Sequence, residues 1–296
     1  MPYLGEIAGL TTALCWSLTA IVFTAASKRI GSLQVNLYRL PMALVVLFIS
    51  YFLIDGQFEI VGSNLSWLLA SGVVGLAIGD SFLFEAMVLI GARLSMILMA
   101  LAPPMTAVLA YFFLGETVGL VGILGIIITI GGVSWVVGES RSDSNGVPHK
   151  ISWFGIICGL LGALFQAIGL ILAKKGLSTE VSPLLATLIR MSGATVVMWS
   201  VTLFLKKVKN PISLFKADPI ALKQMLLAVV FGPVLGVTLS LVAIKYTETG
   251  IAATLIATVP VVMIPFLIVI EKEWPTWRAV LGALVTVAGI AVLFLR

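Results

Sequence analysis

Apolar residues fall along the chain in ten runs of about twenty, separated by short segments that are polar or rich in glycine. A helix that crosses the hydrocarbon core of a bilayer needs about 20 mostly apolar residues, so each run predicts one crossing. The predicted spans are residues 4–27, 35–54, 66–89, 94–114, 118–137, 152–173, 182–205, 220–243, 250–270 and 274–295. The connections leave no room for a soluble domain. The first run is read as a span and not as a cleaved leader, because it lacks a basic start, holds Glu6, and precedes nothing that looks like a mature soluble protein. The expected fold class is therefore all-α integral membrane, with ten transmembrane helices.

The ten runs are one five-helix unit written twice. Arg39 recurs as Arg190, within Tyr38-Arg39-Leu40 and Ile189-Arg190-Met191. Further along, Gly75 and Gly79 recur as Gly232 and Gly236, Pro103 as Pro260, Glu116 as Glu273, and Gly125 and Gly132 as Gly282 and Gly289, all at one constant offset. Residues 1–140 form the first repeat, 141–151 a linker loop and 152–296 the second repeat. Five is odd, so the second repeat enters the membrane from the opposite side. Inverted repeats of this kind are the architecture by which many secondary transporters alternate access to a midplane site.

Two five-helix repeats, a proline in the fourth span of each, Leu114-Gly115-Glu116 after the first of these and a glycine-rich fifth span resemble the EamA branch of the drug/metabolite transporter superfamily. The similarity covers essentially the whole chain and is clearest from Ala102-Pro103-Pro104-Met105 through Glu116. In the second repeat Val259-Pro260-Val261 matches, whereas Glu271-Lys272-Glu273 lacks the Leu-Gly pair. The resemblance implies secondary transport, often export of amino acids or related metabolites, with sugars, nucleotide sugars or cationic drugs carried by some relatives.

Composition narrows the function classes. Sixty per cent of the 296 residues are apolar and ten per cent are charged, against roughly 25% charged in soluble domains. Two cysteines, Cys15 and Cys158, and a lone His149 offer neither a disulfide framework nor a metal cluster, and there is no phosphate-binding loop. No cofactor is expected, and no enzyme, since acids, histidines and serines do not cluster at one interface. The expected partners are a small-molecule substrate, the lipid bilayer and protons, with no nucleic acid, in a monomer or a dimer. A lipid carrier of flippase type is the alternative, on account of the sparse charge.

Charges inside spans are costly and mark functional candidates. Counting about 1.5 Å per residue puts Arg39 and Glu85 at a similar depth near one face, where a structural Arg39–Glu85 ion pair is expected. Glu85 is also a candidate proton-coupling group. Asp80 lies near the midplane, where it suits proton coupling, a cationic group of the substrate, or a packing role satisfied by a hydroxyl or backbone group. Arg190 has no acid of its own: the repeat counterparts of Asp80 and Glu85 are Val237 and Val242. It either reaches Asp80 across the pseudo-symmetric centre, awaits an anion such as a substrate carboxylate, or snorkels to the nearer interface. Gln166, at similar depth, is expected to share that ligand, with Trp16 and Tyr38 as further substrate-binding candidates. Pro103, Pro104 and Pro260 predict midspan kinks that line the central cavity or serve structure alone. Phe82, Phe84, Phe165, Met87, Met96, Met99 and Met105 are packing or cavity wall. Trp67, Trp153 and Trp274 read as interfacial anchors.

The positive charges set the orientation. Twelve lie on the face where the first span ends and four on the other, which favours both termini outside a cell (inner or plasma) membrane. The resemblance implies the reverse.

Overall fold

The computed structural model describes residues 3–54, 62–114, 119–138, 141–142, 148–149, 152–177, 181–247, 249–272 and 274–294. Ten helical crossings account for nearly all of them. In chain order they are α1 (Leu4–Ile30), α2 (Ser32–Ile54), α3 (62–90), α4 (92–114), α5 (Leu120–Val137), α6 (Trp153–Gly176), α7 (Pro183–Phe204), α8 (Pro219–Tyr246), α9 (249–271) and α10 (Trp277–Leu293). A short helix, Pro211–Ala217, lies between α7 and α8. With no water in the hydrocarbon core, each backbone polar group must find its partner within the segment, so apolar runs of this length fold as helices. Side-chain oxygens of Ser152, Ser182, Asp218 and Thr276 accept from the free N–H groups at the starts of α6, α7, α8 and α10.

Single glycines make the tightest turns. Gly31 at φ 96° separates α1 from α2, and Gly91 at φ 82° separates α3 from α4; glycine enters this region without the penalty a Cβ brings. The run 64–99 is otherwise continuous helix, so the boundary between the third and fourth crossings rests on Gly91 alone.

Near the prolines expected to kink the spans, the helices break in both halves at equivalent positions. α4 breaks at 100–101, just before Pro103, and α9 breaks at 257–258, just before Pro260. Leu101 bonds back three residues to Leu98 (3.0 Å), as Thr258 does to Leu255 (3.2 Å), so each break is a tightened turn. Pro104 and Pro260 are buried and Pro103 is half-buried. A second matched irregularity was not expected: α3 widens into π-helical turns over Gly72–Gly79, and α8 does so over Val230–Gly236.

The two halves pack on each other through pseudo-equivalent contacts. α6 crosses α3 and α4, with Gly159 against Leu98 and Gly155 against Leu89 and Ile90; α1 crosses α8 and α9, with Gly9 against Leu255 and Gly5 against Tyr246 and Thr247. Gly5 and Gly9 thus correspond to Gly155 and Gly159. The same offset of 150 makes Trp16 the counterpart of Gln166. α5 and α10 form a separate pair with interleaved glycines: a methyl at Gly125 would lie 2.2 Å from Leu293 N, and one at Gly289 2.5 Å from Thr129 N. Close backbone approach of this kind holds helices together where lipid is as apolar as the side chains.

Candidate functional site

The π-helical stretch of α3 ends on Asp80, whose N–H bonds the Gly75 carbonyl five residues back. Wide π turns shift the register of the helix beyond them, and such bulges recur at functional sites. Here the stretch meets α2. Asn36 and Arg39, one turn apart on α2, reach its backbone: Asn36 Nδ2 donates to the Ala77 carbonyl (3.1 Å) and Arg39 Nη2 to the Leu76 carbonyl (3.0 Å). Arg39 Nε donates to Asn36 Oδ1 (2.9 Å), and its guanidinium lies over the Phe84 ring at 5.0 Å.

Arg39 is ion-paired with Asp80, from Nη2 to Oδ2. The expected Arg39–Glu85 pair does not form. Glu85 instead accepts a hydrogen bond from the Ser32 hydroxyl at the start of α2. The reason is the start of α2: it begins at Ser32 and not at residue 35, so Arg39 lies a turn deeper than the count placed it, and Ser32 is what stands opposite Glu85. The other oxygen of Asp80, Oδ1, accepts from Gln166 Nε2 on α6 at 2.7 Å.

Arg190 on α7 is 3% exposed and completes the cluster. Gly72 lets it approach: a methyl there would lie 1.9 Å from the Arg190 carbonyl oxygen, so the α3 and α7 backbones touch. Its guanidinium turns toward the same α3 stretch, with Nη2 and Gln166 Oε1 flanking the point where a Gly75 side chain would begin (3.7 and 3.3 Å). Arg190 is within electrostatic reach of Asp80 but forms no salt bridge with it, and its buried Nε has no hydrogen-bond partner. Among the described residues the cluster holds two guanidinium groups and one carboxylate, a net positive charge inside the bundle.

Trp16 occupies the place of Gln166 in the other half. Its indole lies against the π stretch of α8, where a methyl at Gly236 would be 2.5 Å from Nε1. Phe82 and Phe165 stack at 5.7 Å beside the cluster's helices. Met87 and Met96 are buried in the core, with Met99 and Met105 packed against it.

Tyr38 is not part of the cluster. Its hydroxyl donates to the Lys209 carbonyl, and its ring packs edge-on against Trp199 and Phe215 (5.7 and 5.5 Å). With Gln34, which bonds Lys207 O (2.8 Å), it fastens the loop between α7 and α8. That loop, invisible to span counting, gives Tyr38 a packing contact away from the charged cluster. Glu6 accepts from Thr247 near the opposite face. Lys175 lies over the Trp67 ring at 5.0 Å, and Trp153 and Trp274 are exposed. Glu116 and Glu273 lie outside the described residues.

Asn36 and Trp199 are the polar groups that sequence reading missed. Asn36 had a signal, its spacing of three from Arg39 on one helix face. Trp199 Nε1 donates to the Leu37 carbonyl at 3.1 Å, the group that Pro41 leaves without its helical N–H.

The comparisons with known proteins agree with this architecture. The profile of the EamA-like transporter family matches twice, over residues 3–138 and 153–295. A solved structure described as "Crystal structure of protein" is similar in fold, with a TM-score of 0.67 at 16% identity over 98% of this chain and 96% of that one. Comparison with curated proteins gives no match. Two family matches, one to each five-helix half, together span nearly the entire sequence, and the chain belongs to the EamA-like transporter family of membrane transporters.

Proposed function

We propose that the protein is a secondary transporter of a small anionic or amphoteric metabolite, amino acids foremost, working by alternating access of its two inverted repeats. Arg190 holds the substrate's carboxylate, and Asp80 carries a coupling proton. The observation that supports this reading is Arg190 itself, buried and without a hydrogen bond or ion pair among the described residues. An arginine in mid-membrane costs about 3 kcal/mol on insertion scales, a cost an anion would offset through a bidentate contact. The burial of Arg39, Asp80 and Arg190 among helices supports an enclosed solute site over an open lipid track.

Proteoliposomes loaded in turn with labelled amino acids, carboxylates, sugars, nucleotides and cationic drugs test this. Uptake or exchange of a carboxylate-bearing solute, weakened in Arg190→Lys and lost in Arg190→Ala, is the expected result. Failure with every class, or transport of cations alone, would contradict it.

Orientation is set by the face that holds Lys28, Lys206, Lys207, Lys209, Lys216 and Lys223. We place it in the cytoplasm, with both termini outside. A Lys209→Cys variant lacking Cys15 and Cys158 should resist an impermeant maleimide in intact cells, and ready labelling would reverse the assignment.

A further inference from the structure

Gln166 bonds one part of the charged cluster and lies near another. Its Nε2 donates to Asp80 Oδ1 at 2.7 Å, and its Oε1 and Arg190 Nη2 both lie within 4 Å of the point where a Gly75 side chain would begin. We infer that Gln166 is a positioning residue that links proton uptake at Asp80 to anion binding at Arg190 by reversal of its carboxamide. This rests on the reading of Arg190 as the anion site.

The inventory of donors and acceptors favours the reversal. Asp80 Oδ2 faces Arg39 Nη2, a group that can only donate. Oδ1 faces Gln166, which carries an acceptor as well as donors, so a proton taken from water is held best on Oδ1. Aimed along the existing bond, the new O–H meets the N–H of Gln166, and two donors cannot bond each other. Half a turn about the last side-chain torsion of Gln166 cures the conflict: Oε1 then accepts from Asp80, and Nε2 moves to the place Oε1 left. No covalent bond other than the Asp80 O–H is made.

The swap changes what a substrate meets. With Asp80 ionised, the negative end of the amide dipole lies beside Arg190, partly compensating the guanidinium and repelling an anion. With Asp80 protonated, the Nε2 donors stand beside Arg190, and the cluster carries one more net positive charge. Both changes favour an anion, and by reciprocity a bound anion favours proton uptake by the same factor. The result is co-transport of proton and anion.

The groups around Asp80 fit this role. Arg39 faces it from α2, Gln166 from α6 and Arg190 from α7. Glu85 lies farther along the same helix with Cys158 near it, and α1, which packs on this segment, carries Cys15 away from its ends. The pseudo-equivalent site has no such device, because Trp16 stands in the place of Gln166 and Val237 in that of Asp80.

The test measures binding of propionate, L-alanine and ethylamine to the full chain in nanodiscs, at acidic and at neutral pH. Wild type should bind propionate or L-alanine more tightly in acid, by roughly 5- to 100-fold, and ethylamine no better. Asp80→Asn should remove the pH dependence. Gln166→Leu should remove it too, while infrared spectra still show the protonated Asp80 carboxyl, identified by its loss in Asp80→Asn. Gln166→Asn, which keeps the amide but shortens its reach, serves if Gln166→Leu does not fold. Full pH dependence in a Gln166 variant would overturn the inference and leave the Arg190 reading intact. If wild type binds none of the probes, the Arg190 reading is the one in difficulty, and the infrared band decides on Gln166. A protonated Asp80 band that shifts in Gln166→Leu supports the link, and an unshifted band overturns it.

Discussion

Arg39 and Arg190 occupy equivalent places in the two repeats, and only Arg39 has an acid. Arg39 spends its guanidinium on Asp80, Asn36 and the Leu76 carbonyl, whereas Arg190 is equally buried and bonds nothing among the described residues. A duplicated scaffold has kept the charge twice and its neutraliser once. One half is satisfied internally, and in the proposed function the other is satisfied by the carried anion.

Breaking the Arg39–Asp80 pair should be more harmful than removing it whole. Asp80→Ala leaves two uncompensated buried arginines and should cost about 3–5 kcal/mol. Arg39→Met combined with Asp80→Leu should recover most of that loss. Unfolding in detergent, run as a double-mutant cycle, would show this as strong non-additivity; simple additivity would mean that the pair is energetically unimportant.

Trp199 stabilises α7 on α2 through one identifiable hydrogen bond. Trp199→Phe should cost on the order of 1 kcal/mol, as other interhelical hydrogen bonds in membranes do. Pro41→Ala restores the N–H that belongs to the Leu37 carbonyl, so in that background the same change should cost almost nothing. An equal penalty in both backgrounds would show that the ring packing matters and the hydrogen bond does not.

The interleaved glycines of the α5–α10 seam leave no room for a methyl. Gly289→Ala places a methyl 2.5 Å from Thr129 N, and Gly132→Ala places one 2.7 Å from Thr286 N. Each should lower stability by roughly 1–3 kcal/mol. Gly131→Ala meets nothing within 4 Å and should be neutral or slightly stabilising. Thermal unfolding of the three variants would test the contrast.

At the charged face, Arg29 Nε donates to Asp218 Oδ2 at 2.7 Å, and this bond, with the Ala221 N–H, holds the Asp218 carboxyl below the usual carboxylate range. A lowered folded value means that the contribution is present above the unfolded value of about 3.9 and lost as pH falls through the folded one. Asp218→Asn keeps a competent helix cap and removes the charge. The variant should therefore be less stable than wild type at neutral pH and low salt. The difference should vanish in strong acid or concentrated salt, and one that persists in acid would exclude the ion pair as its source.

How much of this could be read from the chain is clear at particular residues. The ten crossings, the doubling and the matched breaks before Pro103 and Pro260 follow from length, offset and proline chemistry, which depend on local sequence. The solitude of Arg190 was legible from Val237 standing where Asp80 stands in the first half. The partner of Arg39 was not, because the second span was read as starting at residue 35, whereas α2 starts at Ser32 and carries Arg39 deeper, past the level of Glu85. The correspondence of Trp16 with Gln166 was hidden by a different offset in the first helix of each repeat. Only Gly5-x-x-x-Gly9 against Gly155-x-x-x-Gly159 could have revealed it. Tyr38 needed a loop contact from 171 residues away.

The most direct test of Arg190 as the anion site is a structure of the protein with a transported solute bound. The expected result is an anionic group of that solute in bidentate contact with Arg190, with the Arg39–Asp80 pair still in place or Asp80 protonated beside Gln166. A solute bound elsewhere, with Arg190 bridged to Asp80 in its presence, would contradict it.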